Sequence, residues 1–151
     1  MKIIGLTGSI AAGKSTVAGW ILDLGIAIHD ADAAVHEFMS PKGAAVEAIL
    51  AEFKSDLAGR DIGNLEKGIN RQALGNYAFA RPQVRKRLES ILHPLVRQHR
   101  DAFLNKHRVI AAPAVVLDVP LLFETGGDAV CDHIILVHAS AATTAKRALA
   151  R

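Results

Sequence analysis

Short apolar runs alternate with longer stretches of helical periodicity along this chain. Residues 2–6 form an apolar run that ends at Thr7-Gly8, which is typical of a buried strand leading into a tight turn. A helix is predicted from Lys14 up to a glycine stop at Gly25, because apolar residues recur there at helical spacing. These apolar residues are Val17, Trp20, Ile21 and Leu24. The chain therefore begins with a strand, a loop and a helix.

Three more strands are predicted from short apolar runs. These runs occupy residues 26–29, 114–117 and 133–137. Asp30 and Asp32 follow the first run, Asp118 ends the second, and a helix through Arg151 follows the third. Strands that alternate with helices favour a parallel, doubly wound sheet, in which ligands bind at the carboxyl ends of the strands. The predicted fold class is therefore α/β.

The middle of the chain, residues 33–108, is predicted to be almost wholly helical. Loop signals interrupt it at residues 40–43 and 59–68. A long apolar face follows, and Pro94 within it is expected to kink or end a helix near His93, because proline lacks the backbone N–H. We interpret this block as a helical insertion beside the sheet.

The length of 151 residues suits one domain with its own core. We predict a core of residues 1–32 and 109–151, with the helical insertion at about 33–108. The composition, 50% hydrophobic, 5% aromatic and 22% charged, is that of a globular protein rather than a disordered one.

A basic stretch in the insertion changes the expected partners. Cations crowd residues 81–108, although the formal net charge of the whole chain is only +3. This excess suits a phosphate-bearing small molecule, while a solvated helix face is the plainer alternative. A nucleic-acid partner is not expected, because no aromatic platform or recognised nucleic-acid-binding motif interleaves the cations.

The expected location follows from features that the sequence does not contain. Cys131 is the single cysteine, so no internal disulfide forms, which suits a reducing compartment. The longest apolar run, residues 109–117, is broken by Pro113 and is shorter than the ~18 residues of a spanning helix. With no recognisable signal peptide, we expect a cytoplasmic protein without a membrane partner, as a monomer or weak homo-oligomer.

The segment after the first strand matches a phosphate-binding loop at every fixed position of G-x-x-x-x-G-K-S/T. It reads Gly8-Ser9-Ile10-Ala11-Ala12-Gly13-Lys14-Ser15. Its backbone N–H groups and the following helix dipole would bind the phosphates of ATP, with Lys14 at the β- and γ-phosphates. Ser15 would offer its hydroxyl to Mg²⁺, and Thr16 would contact the α-phosphate. The predicted nucleotide contacts are Gly8, Ala11, Ala12, Gly13, Lys14, Ser15 and Thr16.

Residues elsewhere in the chain narrow the type of reaction that a bound nucleotide would serve. Asp118 is followed by Val119 and Pro120 rather than by a second acid that would polarise water, which disfavours an ATPase. Arg108 stands where a guanine-reading N-K-x-D motif requires a carboxylate, which disfavours a GTPase. Transfer to an alcohol remains, and Asp32 is a candidate for accepting the proton.

The acids after the second strand have other interpretations. Asp30 is a good N-cap for the helix that follows. A metal cluster of His29, Asp30, Asp32 and His36 is a second alternative, although it lacks evident support around the ligands. Mg²⁺ held by Ser15, phosphates and water is the simpler hypothesis.

Several motifs together resemble the bacterial dephospho-coenzyme A kinases, and most closely their alphaproteobacterial members. In chain order, they are Leu6-Thr7-Gly8-Ser9-Ile10, Gly13-Lys14-Ser15-Thr16, His29-Asp30-Ala31-Asp32, Leu92-His93-Pro94-Leu95-Val96 and Asp118-Val119-Pro120-Leu121-Leu122-Phe123-Glu124-Thr125-Gly126. The resemblance covers essentially the whole chain. It implies a P-loop nucleoside-triphosphate-hydrolase-like sheet with a helical substrate-binding insertion.

The resemblance also implies the reaction. In this family, ATP phosphorylates the ribose 3′-hydroxyl of dephospho-CoA and yields CoA, the last step of CoA biosynthesis. Asp32 corresponds to the family's proposed base, and Asp118 to an acid near the metal and phosphates. Asp118 therefore joins Ser15 as a metal candidate, and Asp32 and Asp118 are also candidate substrate contacts.

Further site residues are implied by position in the family pattern. Arg71, His93 and Pro94 fall in the block that receives the acceptor, although a helix junction and a surface cation are alternative roles. Arg147 and Arg151 correspond to lid arginines that neutralise charge on the phosphates, and they lie four residues apart on one helical face.

The chain departs from the family pattern at three places. Ala11 and Ala12 replace glycine and a small residue, which matters only if the backbone at Ala11 needs positive φ. Thr144 replaces a glutamine before the first lid arginine. The chain stops at Arg151, before segments that in the family complete the lid and sheet, so an inactive ATP-binding fragment and another small-molecule or nucleotide kinase stay open as alternatives.

Overall fold

The computed structural model describes residues 1–56 and 61–149. Strands and helices alternate at both ends of the chain, and helices dominate the middle. The elements are β1 (Lys2–Gly8), α1 (Lys14–Asp23), β2 (Ala27–Asp30), α2 (Ala31–Met39), α3 (Val46–Phe53), β3 (Gly63–Asn64), β4 (Gly68–Ile69), α4 (Arg71–Phe79), α5 (Pro82–Val109), β5 (Ala114–Asp118), a 3₁₀ helix (Gly127–Val130), β6 (His133–Val137) and α6 (Ala141–Leu149).

Four parallel strands form the main sheet, in the order β2-β5-β1-β6. From β1 the chain moves two places to one side to make β2, and from β5 it moves two places to the other side to make β6. This reversal is typical of a doubly wound α/β sheet, and ligand sites collect where the strand order reverses. The predicted α/β fold class and the four predicted strands are confirmed.

Both faces of the sheet are covered at β1 and β5, which explains why these two strands are continuous apolar runs, whereas β6 is mostly exposed. On β5, Val115 and Leu117 belong to one buried cluster with Leu104 of α5. The intervening Val116 points to the other face and packs with Ile21 of α1 and Leu6 of β1. Side chains two apart on a strand share a face, so this single strand stabilises both layers.

The chain divides into two compact units, Met1–Ala31 together with the chain from Ala102 onward, and Asp32–Asp101. The first contains the sheet. The second has its own apolar core, centred on Val46, Ile49 and Phe53 of α3, each with no exposed surface. The organisation as one kinase domain with an inserted block remains a prediction. In the part of the chain that the structure describes, no helix combines the length and apolar character needed to cross a membrane.

The helical unit departs from expectation in two places. The 59–68 loop region contains a small antiparallel ribbon, with Gly63 opposite Ile69 and Asn64 opposite Gly68. Such two-residue strands carry too little apolar pattern to be recognised from sequence.

The sequence predicts that a helix kinks or ends near His93, and the structure excludes an end there, because α5 runs on to Val109. Proline at position 94 removes the hydrogen bond to the Ser90 carbonyl and costs about 3 kcal/mol. Buried apolar side chains contribute about 1.5–3 kcal/mol each, so packing outweighs that loss. The α5 side chains in the apolar core are Val84, Leu88, Ile91, Leu92, Leu95 and Val96.

Candidate active site

The carboxyl ends of three neighbouring strands place polar groups at one edge of the main sheet. Asp118, the last residue of β5, pairs with Leu6 of β1 on one side and with Asp30, the last residue of β2, on the other. Because β1 continues from Leu6 through Thr7 to Gly8, the loop that follows begins just beyond Asp118. The sheet register therefore brings an acid next to the phosphate-loop segment.

Local backbone geometry shapes the loop between β1 and α1. The Ala12 N–H donates to the Ser9 carbonyl at 3.1 Å, which closes a turn. Gly13 adopts φ 107° and ψ 19°, a left-handed conformation that a residue with a Cβ adopts only at a cost, and it leads directly into α1. Ala11 also has positive φ, 61°, so the condition under which its departure from the family pattern matters is met.

The first turn of α1 is open to an anion. No side chain among residues 1–56 and 61–149 caps this end of the helix, and its first turn contains no acidic residue. Ser15 and Thr16 are exposed there. The N–H groups at the start of a helix and the positive end of the helix dipole favour a phosphate oxygen at this position.

Lys14 donates from Nζ to Oδ1 of Asp118. The Asp118 side chain is only 7% exposed and that of Lys14 is 21% exposed. A partly buried ion pair keeps the ammonium oriented, since separating it would leave a buried carboxylate without its cation. The lysine is therefore held at the loop, where a phosphate can replace Asp118 as the partner of its ammonium group.

Thr7 is a site residue that the sequence interpretation missed. Its side chain is buried, and its Oγ1 donates to the Pro120 carbonyl at 2.9 Å. The Val119 N–H donates to the Leu6 carbonyl at 3.1 Å. These bonds fasten the turn after β5 to the end of β1 and so fix Asp118. A hydroxyl at the last position before the loop glycine was the available signal.

Arg147 of α6 reaches the phosphate loop. Its NH1 donates to the carbonyl oxygens of Ala12 at 3.1 Å and Ala11 at 3.4 Å. A helical position 135 residues away in sequence thus contacts the loop directly. Arg151, the second predicted lid arginine, lies outside the described residues.

The remaining candidates lie in the helical unit. Asp32 is exposed in the first turn of α2, and Arg71 is exposed at the first position of α4. His93 and Pro94 are exposed on α5. Arg71 contacts His36 of α2, a pairing that the sequence does not predict. The only related signal is the spacing of four residues between Asp32 and His36, which places His36 on the same helix face as Asp32.

Two sets of candidates are therefore assembled, one in each unit. In the sheet unit, the loop from Gly8 to Thr16 lies with Asp118 and Arg147. In the helical unit, Asp32 and Arg71 lie on or beside α2. Within residues 1–56 and 61–149, no group of three or more histidine, cysteine, aspartate or glutamate side chains could by itself hold a metal ion.

Proteins of known family are similar to this chain over nearly all of its residues. The sequence model of the dephospho-CoA kinase family matches residues 2–151. A dephospho-CoA kinase of Rhodospirillum rubrum is 50% identical over 149 residues, covering 99% of this chain and 68% of that protein. A dephospho-CoA kinase of Paramagnetospirillum magneticum is 46% identical over 151 residues, covering 100% of this chain and 68% of that protein.

Solved structures share the fold. The crystal structure of TT1252 from Thermus thermophilus has a TM-score of 0.79 and 31% sequence identity, covering 99% of this chain and 72% of that chain. A dephospho-CoA kinase from Campylobacter jejuni has a TM-score of 0.65 and 21% identity, covering 99% of this chain and 95% of that chain, and supports the fold alone. The resemblance drawn from the motifs is confirmed: this chain belongs to the dephospho-CoA kinase family.

Proposed function

We propose that this protein is a dephospho-CoA kinase, which transfers the γ-phosphoryl group of ATP to the ribose 3′-hydroxyl of dephospho-CoA and releases CoA and ADP. Membership of the family supports the acceptor. The observation that supports phosphoryl transfer is the Lys14 ammonium, which Asp118 holds at the N-terminus of α1. No side chain of the described residues caps that end of the helix.

Each loop residue has a role in this proposal. The backbone from Gly8 to Gly13 and the N-terminus of α1 bind the phosphates, and Thr16 contacts the α-phosphate. Lys14 leaves Asp118 to bind the β- and γ-phosphates and stabilises the charge that develops as the γ-phosphoryl group transfers. Arg147 trades its carbonyl acceptors on Ala11 and Ala12 for phosphate oxygens, which are stronger acceptors for a guanidinium.

The oxygen donors present fit Mg²⁺. The ion accepts one or two protein oxygens together with substrate phosphates, and the Ser15 hydroxyl and the Asp118 carboxylate are of that kind. When bound with ATP, it neutralises charge on the β- and γ-phosphates. We assign Ser15 and Asp118 as its protein ligands.

Asp32 is the proposed base. As the new O–P bond forms, the 3′-hydroxyl of the acceptor gives its proton to the Asp32 carboxylate and ADP departs. Its exposure at the start of α2 leaves the carboxylate open to a substrate. Arg71, His93 and Pro94 are proposed to bind the acceptor, and Arg151 to act with Arg147. We also infer a cytoplasmic protein, monomeric or weakly oligomeric, with one kinase domain.

The test is a coupled assay of ADP release with dephospho-CoA as acceptor, together with detection of CoA. We expect release that depends on both substrates and exceeds that seen with nucleoside monophosphates. Asp32→Asn should lower kcat by about 10²- to 10⁴-fold while ATP still binds. Preferential turnover of a nucleoside monophosphate would identify a different kinase. ATP binding without any CoA formation would instead identify a non-catalytic nucleotide-binding chain.

A further inference from the structure

Arg71 is held by a neutral partner. Its NH1 contacts the Nδ1 of His36, 35 residues earlier in the chain. A guanidinium can only donate hydrogen bonds, so Nδ1 must be the acceptor and the imidazole proton must lie on Nε2. The contact therefore requires uncharged His36.

The β3–β4 ribbon brings these two residues together. Lys42, just after α2, donates its N–H to the Leu65 carbonyl at 2.9 Å. Gly68 approaches the end of α2 so closely that a Cβ there would lie 2.6 Å from the Met39 carbonyl oxygen, and its φ of 77° also favours glycine. The ribbon is thereby fixed against the end of α2.

The start of α4 is fixed in turn by its cap. The Ala73 N–H donates to Oδ1 of Asn70 at 3.1 Å, and the Asn70 N–H donates to the Ile62 carbonyl at 2.9 Å. Arg71 follows this cap directly, so its backbone position is determined by the ribbon. His36 then restrains the otherwise free end of its side chain.

The helical spacing places this contact near the proposed base. Asp32 and His36 are four residues apart in α2 and therefore share a face of the helix. One helical turn spans about 5.4 Å. The Arg71 guanidinium, which contacts His36, is thus about one helical turn along α2 from position 32.

Arg71 and Arg87, both in the helical unit, differ in whether carboxylates neutralise their positive charge. Arg87 forms ion pairs with Glu52 and Asp56. For Arg71, by contrast, no carboxylate in residues 1–56 or 61–149 lies within ion-pair distance. A neutral partner orients a guanidinium and leaves its full positive charge for an anion.

We propose that His36 is a positioning residue, which holds Arg71 so that its guanidinium binds the diphosphate of the acceptor. This rests on the proposed function. In dephospho-CoA, the diphosphate and the 3′-hydroxyl are carried by the same ribose, so a cation one helical turn from the base suits the pair. A carboxylate at position 36 would orient Arg71 equally well but would cancel the charge that the diphosphate needs.

Three variants of His36 separate orientation from charge. His36→Asn keeps a neutral acceptor near the Nδ1 position, His36→Ala removes the acceptor, and His36→Asp supplies an acceptor that neutralises Arg71. We expect the KM for dephospho-CoA to rise less than about 2-fold in the first and about 10-fold in the other two, the loss of roughly one charge-assisted hydrogen bond. The KM for ATP should stay within about 2-fold throughout. Glu37→Gln is the matched control, because it changes the charge beside His36 and keeps the imidazole.

A purely structural role for His36 predicts a different result for His36→Asp alone. His36→Asp would then match the wild type in KM and melting temperature, and this outcome would overturn the proposal. Binding of dephospho-CoA to each variant, measured by calorimetry, should follow the same order as KM. A wild type that binds dephospho-CoA with the same affinity as His36→Ala and His36→Asp contradicts the inference and leaves the proposed function standing. A wild type that neither binds nor phosphorylates dephospho-CoA overturns both.

A spectroscopic measurement tests the contact without any substrate. The ¹⁵N shift of His36 Nδ1 should be that of a hydrogen-bonded acceptor in the wild type and should move towards the free value in Arg71→Gln. An identical shift in the two proteins means that the contact does not form in solution, and the proposal then fails.

Discussion

Lys14 in the sheet unit and Arg87 in the helical unit are both bound to carboxylates, yet they are suited to different tasks. Among the described residues, Lys14 contacts one carboxylate, that of Asp118. Arg87 binds Glu52 and Asp56, donates to the Glu52 carbonyl at 2.8 Å and lies over the Phe53 ring at 4.9 Å. The hydrogen bond to Glu52, followed by that to Asp56, raises the pKa of Arg87.

The difference lies in how much of each cation's bonding capacity is used. The planar guanidinium of Arg87 has its donors directed at fixed acceptors that join α3 to α5, so it stabilises the helical unit. The ammonium of Lys14, at the end of a flexible stem, has three donors and one partner within the part of the chain that the structure describes. Lys14 can therefore direct its unused donors at a substrate, whereas Arg87 directs three of its five N–H donors at groups of the fold.

The largest expected effect comes from removing the Lys14 charge. Lys14→Met should lower kcat/KM for CoA formation by about 10²- to 10³-fold, because one transition-state cation is lost. It should also destabilise the protein, since Asp118 is left buried without its cation. The double variant Lys14→Met with Asp118→Asn should recover the melting temperature and not the activity. A single variant with wild-type kcat/KM would contradict the comparison.

Removing the Arg87 guanidinium should have the opposite signature. Arg87→Met keeps the apolar stem and breaks the bonds to Glu52 and Asp56, so the melting temperature should fall by about 5 °C. The rate of CoA formation at 20 °C should change by less than about 2-fold. Arg85→Met, on the same helix, is the control and should melt close to the wild type. Equal melting of the two variants would show that Arg87 does not stabilise the unit.

A smaller effect is expected from the loop backbone. Ala11 has φ 61°, which strains a residue with a Cβ. Ala11→Gly should therefore raise the free energy of unfolding by about 0.5–1 kcal/mol, measured by urea denaturation. Ala12 does not share this conformation, so Ala12→Gly should lower the same quantity by a similar amount. Destabilisation by both substitutions would mean that Ala11 is not strained in solution.

The smallest effect concerns the carboxylate of Asp132, which accepts a backbone hydrogen bond and also pairs with Lys2 at 3.6 Å. The Ile3 N–H donates to Oδ2 of Asp132 at 2.7 Å, and this bond lowers the pKa of Asp132 below its usual 3.8. The ionised form therefore stabilises the folded state above about pH 4, and this stabilisation is lost as pH falls through the lowered pKa.

Asp132→Asn tests that dependence. Its melting temperature should fall less steeply than that of the wild type below about pH 4, and it should lie slightly lower at neutral pH. Asp128→Asn makes the same change of charge four residues earlier and serves as the control. If the melting temperatures of the wild type and Asp132→Asn fall equally steeply below about pH 4, the pKa of Asp132 is not lowered in the folded protein.

Much of the sheet unit could be predicted from the sequence, because its signals are contiguous. The strand at residues 133–137 and the start of α1 at Lys14 were predicted with the bounds observed. The phosphate loop consists of eight consecutive residues between a strand and a helix, so its motif can be recognised from the sequence alone. The family was recognisable for the same reason.

The helical unit was harder to predict, because its features depend on distant partners. Local propensity at Pro94 argues for a helix end, and only the apolar core explains why α5 continues to Val109. The ribbon depends on Gly68 fitting against the end of α2. The pairing of His36 with Arg71 depends on that ribbon, and nothing in their spacing of 35 residues indicates a contact.

The sequence by itself determined the fold class, the phosphate loop, the candidate acids and the family, since each is written in neighbouring residues or in the order of short motifs. The tertiary structure alone decided that Lys14 is held by Asp118, that Arg147 contacts the Ala11 and Ala12 carbonyls, and that Ala11 has positive φ. Hydrogen bonds and close contacts form between groups that the folded chain brings together, and their distances are set by packing rather than by separation along the sequence.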